Sequence, residues 1–279
     1  MLKKIFSVLM LCIFSGVLLT GCGEDKPAPP EVKLGMLKHM NAGEKDFNDF
    51  AKKVGDVLSL NFTTFDPVFY DSLNSMISGL QSGQVQTVST YDCVAKYLKA
   101  ENPDVELLPN DTLEFIDAFC FAMREDDKDL QNDLDRAIRE MQNENILEDL
   151  SEKYIEKIDD KKEIPNDVTI PERPNEPTIK VAVTGDVPPL DYVDAQGKPA
   201  GFNVALMAEI SSRIHRNIEF VHIDSGARAA ALSSGKVDLI FWAVVPSSQI
   251  IPSNADKPDG VILSTPYHRE KIMHVKSGK

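Results

Sequence analysis

"ALSSGKVDLIFW", Ala231–Trp242, decides how this chain is read, because "GLQSGQVQTVST", Gly79–Thr90, repeats its outline. Each runs from an apolar helix end through Ser-Gly into a short β-rich segment. Gly83 and Gly235 fall where the helix stops and the chain turns, a position that favours a residue free to take positive φ. Two such corners in one chain of 279 residues point to two similar α/β units.

Outward from the first corner, "DSLNSMISGL" puts Leu73, Met76, Ile77 and Leu80 on one helical face. Upstream, "VKLGML" reads as a strand and "NAGEKDFNDFAKKV" as a helix, with Asn41 and Glu44 spaced as a capping box. "LSLNFTTF" reads as a second strand. Downstream, "VQTVST", "VELLPN" and "DAFCFAMR" read as strands and "DCVAKYLKAE" as a helix. A long helical region follows, with Leu130, Leu134, Ile138 and Met141, then Ile146, Leu150 and Tyr154. Around the second corner, strands "TIKVAVTG", "NIEFVHI" and "KVDLIFWAVV" alternate with helices "VALMAEISSRI" and "ARAAALSSG". This alternation argues an α/β fold with parallel pairing. Asp159–Pro177, charged and broken by Pro165, Pro171, Pro174 and Pro177, reads as a linker between the units.

The N-terminus addresses compartment. "MLKK" and the apolar "IFSVLMLCIFSGVLL" have the layout of a secretory signal. "LTGC", Leu19–Cys22, is similar to a bacterial lipobox, which implies acylation of Cys22 and removal of residues 1–21. The Pro-rich residues 22–32 then form a tether off the membrane. Removal takes out Lys3 and Lys4 and no acids, so the mature chain is more acidic still than its formal net charge of −14. Such a chain is repelled by nucleic acid and anionic lipid, which leaves acyl chains to hold it at a membrane. Cys93 and Cys120 remain, either as two buried thiols or as a bridge permitted outside the cytoplasm.

The sequence carries little reaction chemistry. "SSGKV" fails as a phosphate loop, with Ala230 where its first Gly belongs and Val237 in place of Ser or Thr. His39, His215, His222, His268 and His274 lack metal-ligand spacing, and no G-x-S-x-G elbow occurs. No cofactor, no metal and no catalytic residue is expected.

"IKVAVTGDVPPLDYVDAQGKPAGFNVALMAEI", "ALSSGKVDLIFWAV" and "LSTPY" resemble lobe one of the bacterial extracellular solute-binding proteins of the polar amino-acid type, family 3. "LGMLKHMNAGEKDF", "LNSMISGLQSGQVQTVSTYDCVAKYL" and "AFCFAMREDDKDLQNDLDRAIREMQNENILEDLSEKYI" resemble lobe two. The resemblance implies the two-lobed periplasmic-binding-protein-like α/β fold of type II. Residues 33–158 would be the lobe-two-like unit with a crossover strand and closing helices, and residues 178–279 the lobe-one-like unit. Lobe two precedes lobe one here, so the resemblance further implies a circularly permuted lobe order. The competing arrangement, two damaged tandem copies, would need a second counterpart of "PPLDYVDAQGKPAGFNV" in the first half.

The resemblance also implies a function: a lipid-anchored, monomeric receptor outside the cytoplasm. It would deliver an amino-acid-like solute to the permease and ATPase of an ABC importer. A dehydratase-like enzyme and a sensory or structural lipoprotein without ligand are the competing classes. In the family an Arg clamps the ligand carboxylate, but "PSSQII" offers none, and the aromatic sandwich positions fall at Val187 and Ser225. Arg228 is expected either to face the cleft as a replacement cation, dispensable for folding, or to lie solvated on its helix. Trp242 is expected to wall the pocket or pack in the core, with Ala243 and Val245 further along its strand. Thr184 and Asp186 line the exit of the first strand of that lobe, Asp186 equally suiting a turn. Asn41 and Ala42 would offer backbone amides, unless Asn41 only caps its helix. Tyr91 takes the place of the lobe-two Asp, with Asp92 beside it.

Overall fold

The structure, a computed structural model, describes residues 32–41, 45, 48–49, 65–108, 115–156, 168–170, 172–247 and 253–278, the Trp242 side chain excepted. Cys22, Ala42, most of the expected helix at 41–54 and most of the expected strand at 58–65 lie outside these residues. The first half supplies β1 (Val32–Leu37), β2 (Phe65–Tyr70), α1 (Leu73–Gln81), β3 (Thr87–Tyr91), α2 (Asp92–Glu101), β4 (Val105–Leu108) and β5 (Ile116–Arg124). Helices α3 (Lys128–Asn143) and α4 (Ile146–Ser151) follow. The second half supplies β6 (Thr178–Val183), β7 (Asp186–Val187), β8 (Asp191–Val193), β9 (Pro199–Ala200), α5 (Phe202–Ile214) and β10 (Asn217–His222). It ends with α6 (Arg228–Ser233), β11 (Leu239–Pro246), β12 (Val261–Leu263) and β13 (His268–Ser277).

Two parallel cores carry the lobes. In lobe two β2, β1 and β3 pair in parallel, and in lobe one β10, β6 and β11 do. Each core is then extended antiparallel by a strand from the other half of the chain. β5 pairs with β11 and takes β12 on its far side. β13 pairs with β3 and takes β4. The resulting orders, β10-β6-β11-β5-β12 and β2-β1-β3-β13-β4, are the same pattern twice. This accounts for the two Ser-Gly corners, which lead into β3 and β11, the corresponding strands of the two lobes.

The crossover strands also pair with each other, His268–Lys271 of β13 running antiparallel to Ile116–Phe119 of β5. β5 is flanked on both sides, and Asp117 to Met123 are all buried. A strand enclosed in this way reads as a continuous apolar run rather than an alternation. β2 shows the converse. Asp66 and Pro67 disguise it as a loop in the sequence, yet Pro is tolerated there because β2 is a sheet edge.

The helices pack where their apolar faces dictate. Leu130, Leu134, Ala137, Ile138 and Met141 form the buried stripe of α3, which packs on α5 of lobe one. α5 lies beneath the closing helices and is buried almost all round, from Phe202 to Ile214. In α1, Ser72 caps the N-terminus by accepting from Ser75 N, and a Cβ on Gly79 would overlap the Tyr70 hydroxyl. Cys93 and Cys120 are separate buried thiols. Among the described residues, no helix is long and apolar enough to cross a membrane.

At the waist, the Phe121 ring lies 4.6 Å from that of Tyr267 and 5.7 Å from that of Phe241, centroid to centroid, joining β5 to β11 and to the segment just before β13. Phe121 is fully buried. Phe121→Ala should therefore cost about 3–5 kcal/mol, measured by urea unfolding, with both lobes lost in one transition because they share β5 and β13.

Candidate functional site

The cleft between the lobes is built from strand ends and the turns after them. His39 to Asn41 follow β1, Asp71 follows β2 and Tyr91 ends β3 on the lobe-two side. Thr184 to Asp186 follow β6, Ser225 to Arg228 lead into α6, and Val244 and Asp256 complete the lobe-one side. Asp117, near the start of β5, lies between the two groups.

Arg228 is buried, 3% exposed. Its Nε donates to Ser225 O at 3.1 Å, Nη1 to Phe241 O at 3.3 Å and Nη2 to Lys38 O of lobe two at 3.2 Å. The solvated-helix alternative is therefore excluded: the side chain spans the cleft. Removing the side chain would leave the Ser225 and Phe241 carbonyls without this donor in the interior, so Arg228→Ala is expected to cost stability as well. Burial pulls its guanidinium below the ordinary range, and Asp256, Asp191, Tyr91 and Tyr267 pull it back up.

The acids show a second layer of organisation. Asp256 is 3% exposed. Its Oδ1 accepts from Asn41 N at 3.0 Å and its Oδ2 from Val244 N at 3.4 Å, with His39 Nδ1 3.9 Å away. Asp117, also buried, accepts from the Tyr91 hydroxyl at 3.4 Å. Desolvation pushes the Asp117 carboxyl up to about 6, with Asp256 adding to the rise and His39 and the Tyr91 bond opposing it. Tyr91 is raised well above its usual range by burial and then by Asp117 and Asp256. Its ring packs edge-on against Phe119 at 4.7 Å.

The remaining expected residues divide. Asp186 crosses the cleft to accept from Asn74 N at the start of α1, at 3.2 Å, and burial lifts its carboxyl above the ordinary range. Thr184 serves the turn: its amide, its hydroxyl and the Gly185 amide all donate to buried Asp191. Val187 and Ala243 are core residues at 1% exposure each, and Val245 pairs with Ala118 across the β11–β5 ladder. Asp92 binds Lys96 on its own helix at 2.6 Å. Asn41 presents its amide as expected, and its side-chain Nδ2 also reaches Ala255 O at 3.2 Å. Trp242 has its backbone in β11, and its side chain lies outside the described atoms. Among the described residues, no cluster of His, Cys, Asp and Glu could hold a metal.

Asp117 and Asp256 were not foreseen. Asp117 left a signal, an acid inside the buried run "IDAFCFAM", which only a functional or hydrogen-bonded carboxylate explains. Asp256 left none, since "SNADKPDG" reads as an ordinary polar loop.

Residues 179–278 match the family of bacterial extracellular solute-binding proteins, family 3. The probable ABC transporter arginine-binding protein ArtJ of Chlamydia trachomatis is 28% identical over 95 residues, which is 34% of this chain and 34% of that protein. The chain thus spans about a third of the length of the curated relative it matches. Among solved structures, a ligand-binding component of an ABC-type import system from Staphylococcus aureus aligns at 11% identity and TM-score 0.43, over 89% of this chain and 66% of that one. The periplasmic aliphatic sulphonate binding protein SsuA of Escherichia coli aligns at 13% identity and TM-score 0.40, over 89% and 65%. Residues 179–278 are thus similar to the family 3 solute-binding proteins.

Asp117 makes pH a probe of the cleft. Its folded pKa, about 6, lies above the ordinary carboxyl value of 3.8. Its burial therefore costs nothing below the unfolded value, and the cost grows as pH rises through 4 to 6. Above that it stays constant at roughly 3 kcal/mol. Asp117→Asn should be more stable than wild type at pH 7 by about 2–3 kcal/mol, the difference vanishing by pH 4, in denaturant melts across that range.

Proposed function

We propose that the protein is a solute receptor acting outside the cytoplasm, held at the membrane by lipid on Cys22, that hands a small amino-acid-like solute to an ABC importer. The observation that carries this is the cleft itself: two lobes joined by paired crossover strands, with polar groups of both lobes converging between them. Paired strands at a waist let two rigid sheets rotate about a common line, the mechanics of hinged closure around a ligand. The family match over residues 179–278 supports the same function.

Charge selects the solute class. Asp117, Asp256, Asp186 and Asp191 outnumber Arg228 and His39 about the cleft, so a ligand amino group is favoured over a second anion. Asp117, with Tyr91 beside it, is the group we assign to that ammonium, in place of the Tyr91–Asp92 pair. The matched relative is named as arginine-binding, which suits a cationic solute. Receptor and not enzyme is the choice here, and monomer the expected state. We read the lobe order as circularly permuted, with the 159–177 linker joining what are the two ends in the family it resembles. One observation favours the ligand-free alternative, a sensory or structural lipoprotein: several cleft groups are already bonded to one another.

Thermal-shift screening of the mature protein against the common amino acids, followed by calorimetry, tests the receptor. A basic or neutral amino acid should raise the melting temperature. Asp117→Ala should weaken its binding by roughly tenfold to 150-fold, equivalent to a charged hydrogen bond of about 1.5–3 kcal/mol. Silence across the panel would leave the structural lipoprotein. Cys22→Ser should move the protein from the membrane fraction to a soluble or unprocessed form, and acylation persisting in that variant would remove the lipid anchor.

A further inference from the structure

Asp256 stands apart from the other acids of the cleft because both of its oxygens are engaged by backbone amides of opposite lobes. Asn41 N belongs to lobe two and Val244 N to lobe one. The Asn41 side chain reinforces the contact through Ala255 O. The buried Arg228 guanidinium also joins the lobes, donating to Phe241 O of lobe one and Lys38 O of lobe two, and Asp256 is the largest of the charges that oppose the lowering of its pKa. Amides of two lobes converging on one buried carboxylate are the components of an anion site. Here the anion is a side chain of the same protein.

We propose that Asp256 is an intramolecular occupant of an anion-binding site in the cleft, latching the lobes together until a small carboxylate displaces it. The proposal rests on the cleft being the binding site, and deepens it: the solute that competes best carries a carboxylate for the Asn41 and Val244 amides. Displacement exchanges one carboxylate for another, so the hydrogen-bond inventory is conserved and the two states differ little in energy. The exchange needs no movement of β5 or β13.

Sodium acetate, the smallest ligand with the required group, tests this without knowledge of the natural solute. Asp256→Ala empties the site. Acetate should then raise the melting temperature of the variant by about 2–4 °C over sodium chloride of equal ionic strength, with no such difference in wild type. Equal responses in the two proteins, or no acetate-specific response in the variant, would overturn the latch. Should Asp256→Ala fail to fold, Asp256→Asn keeps the shape and removes the charge. X-ray scattering should then give a larger radius of gyration than wild type, and an unchanged radius would overturn the proposal. Acetate rescue combined with silence in the amino-acid screen would preserve the anion site while refuting the receptor, so the two failures are distinguishable.

Discussion

Neither lobe owns all of its sheet. The fourth strand of each five-stranded order comes from the other half of the chain, and the two donated strands pair with each other at the waist. Backbone donors and acceptors of β11 and β3 would be left open at that edge without them, a cost no small domain sustains cheaply. Folding of one lobe is therefore conditional on the other. Because β5 is buried at its centre, the aromatic contacts of Phe119, Phe121 and Tyr267 reinforce the same dependence from the side-chain level.

That constraint fixes where chemistry is affordable. Strand interiors carry Val, Ile, Phe and Ala, so polar groups collect at strand ends and in the turns behind them, which face the other lobe across the cleft. There, burial is incomplete in principle but nearly complete in this closed arrangement, so each charge needs a partner. Arg228 finds backbone carbonyls, Asp191 finds the Thr184–Gly185 turn, Asp186 finds Asn74 N and Asp256 finds two amides. Asp117 has the poorest compensation, one 3.4 Å bond from Tyr91, and accordingly shows its desolvation most plainly.

The fold was legible because it is written in periodicity and corners, which survive in a single sequence. The helical stripe from Leu130 to Met141 and the enclosed run of β5 needed only local pattern. β2 was missed because Asp66-Pro67 signals a turn, and only its place at a sheet edge, a tertiary fact, makes Pro acceptable. The site was legible only where position within a lobe determines exposure. Asn41, Asp186 and Arg228 came from that logic, and each bonds to a group of the opposite lobe. Val187 and Ala243 came from it too and are packed in the core, because in a strand a shift of one residue turns the side chain to the other face. Of the two alternatives for Arg228 the structure shows the buried one, because burial of a helix residue depends on what the opposite lobe brings against it.

A cleft that bonds to itself changes the arithmetic of binding. A ligand entering a solvated, open cleft gains every contact it makes, whereas a ligand entering this one gains only the difference between its contacts and those it replaces. If the competent state is a fraction f of the population, apparent affinity falls by that same fraction. Internal carboxylates on amides are worth as much as ligand carboxylates on the same amides, so the anionic end of a solute contributes little net affinity here. For the amino-acid-like solute proposed above, discrimination would then shift to the cationic end, where buried Asp117 has one long bond from Tyr91 and an ammonium would relieve its desolvation. The unusual composition of the site, rich in acids and short of the expected Arg and aromatic groups, is what such a division of labour requires.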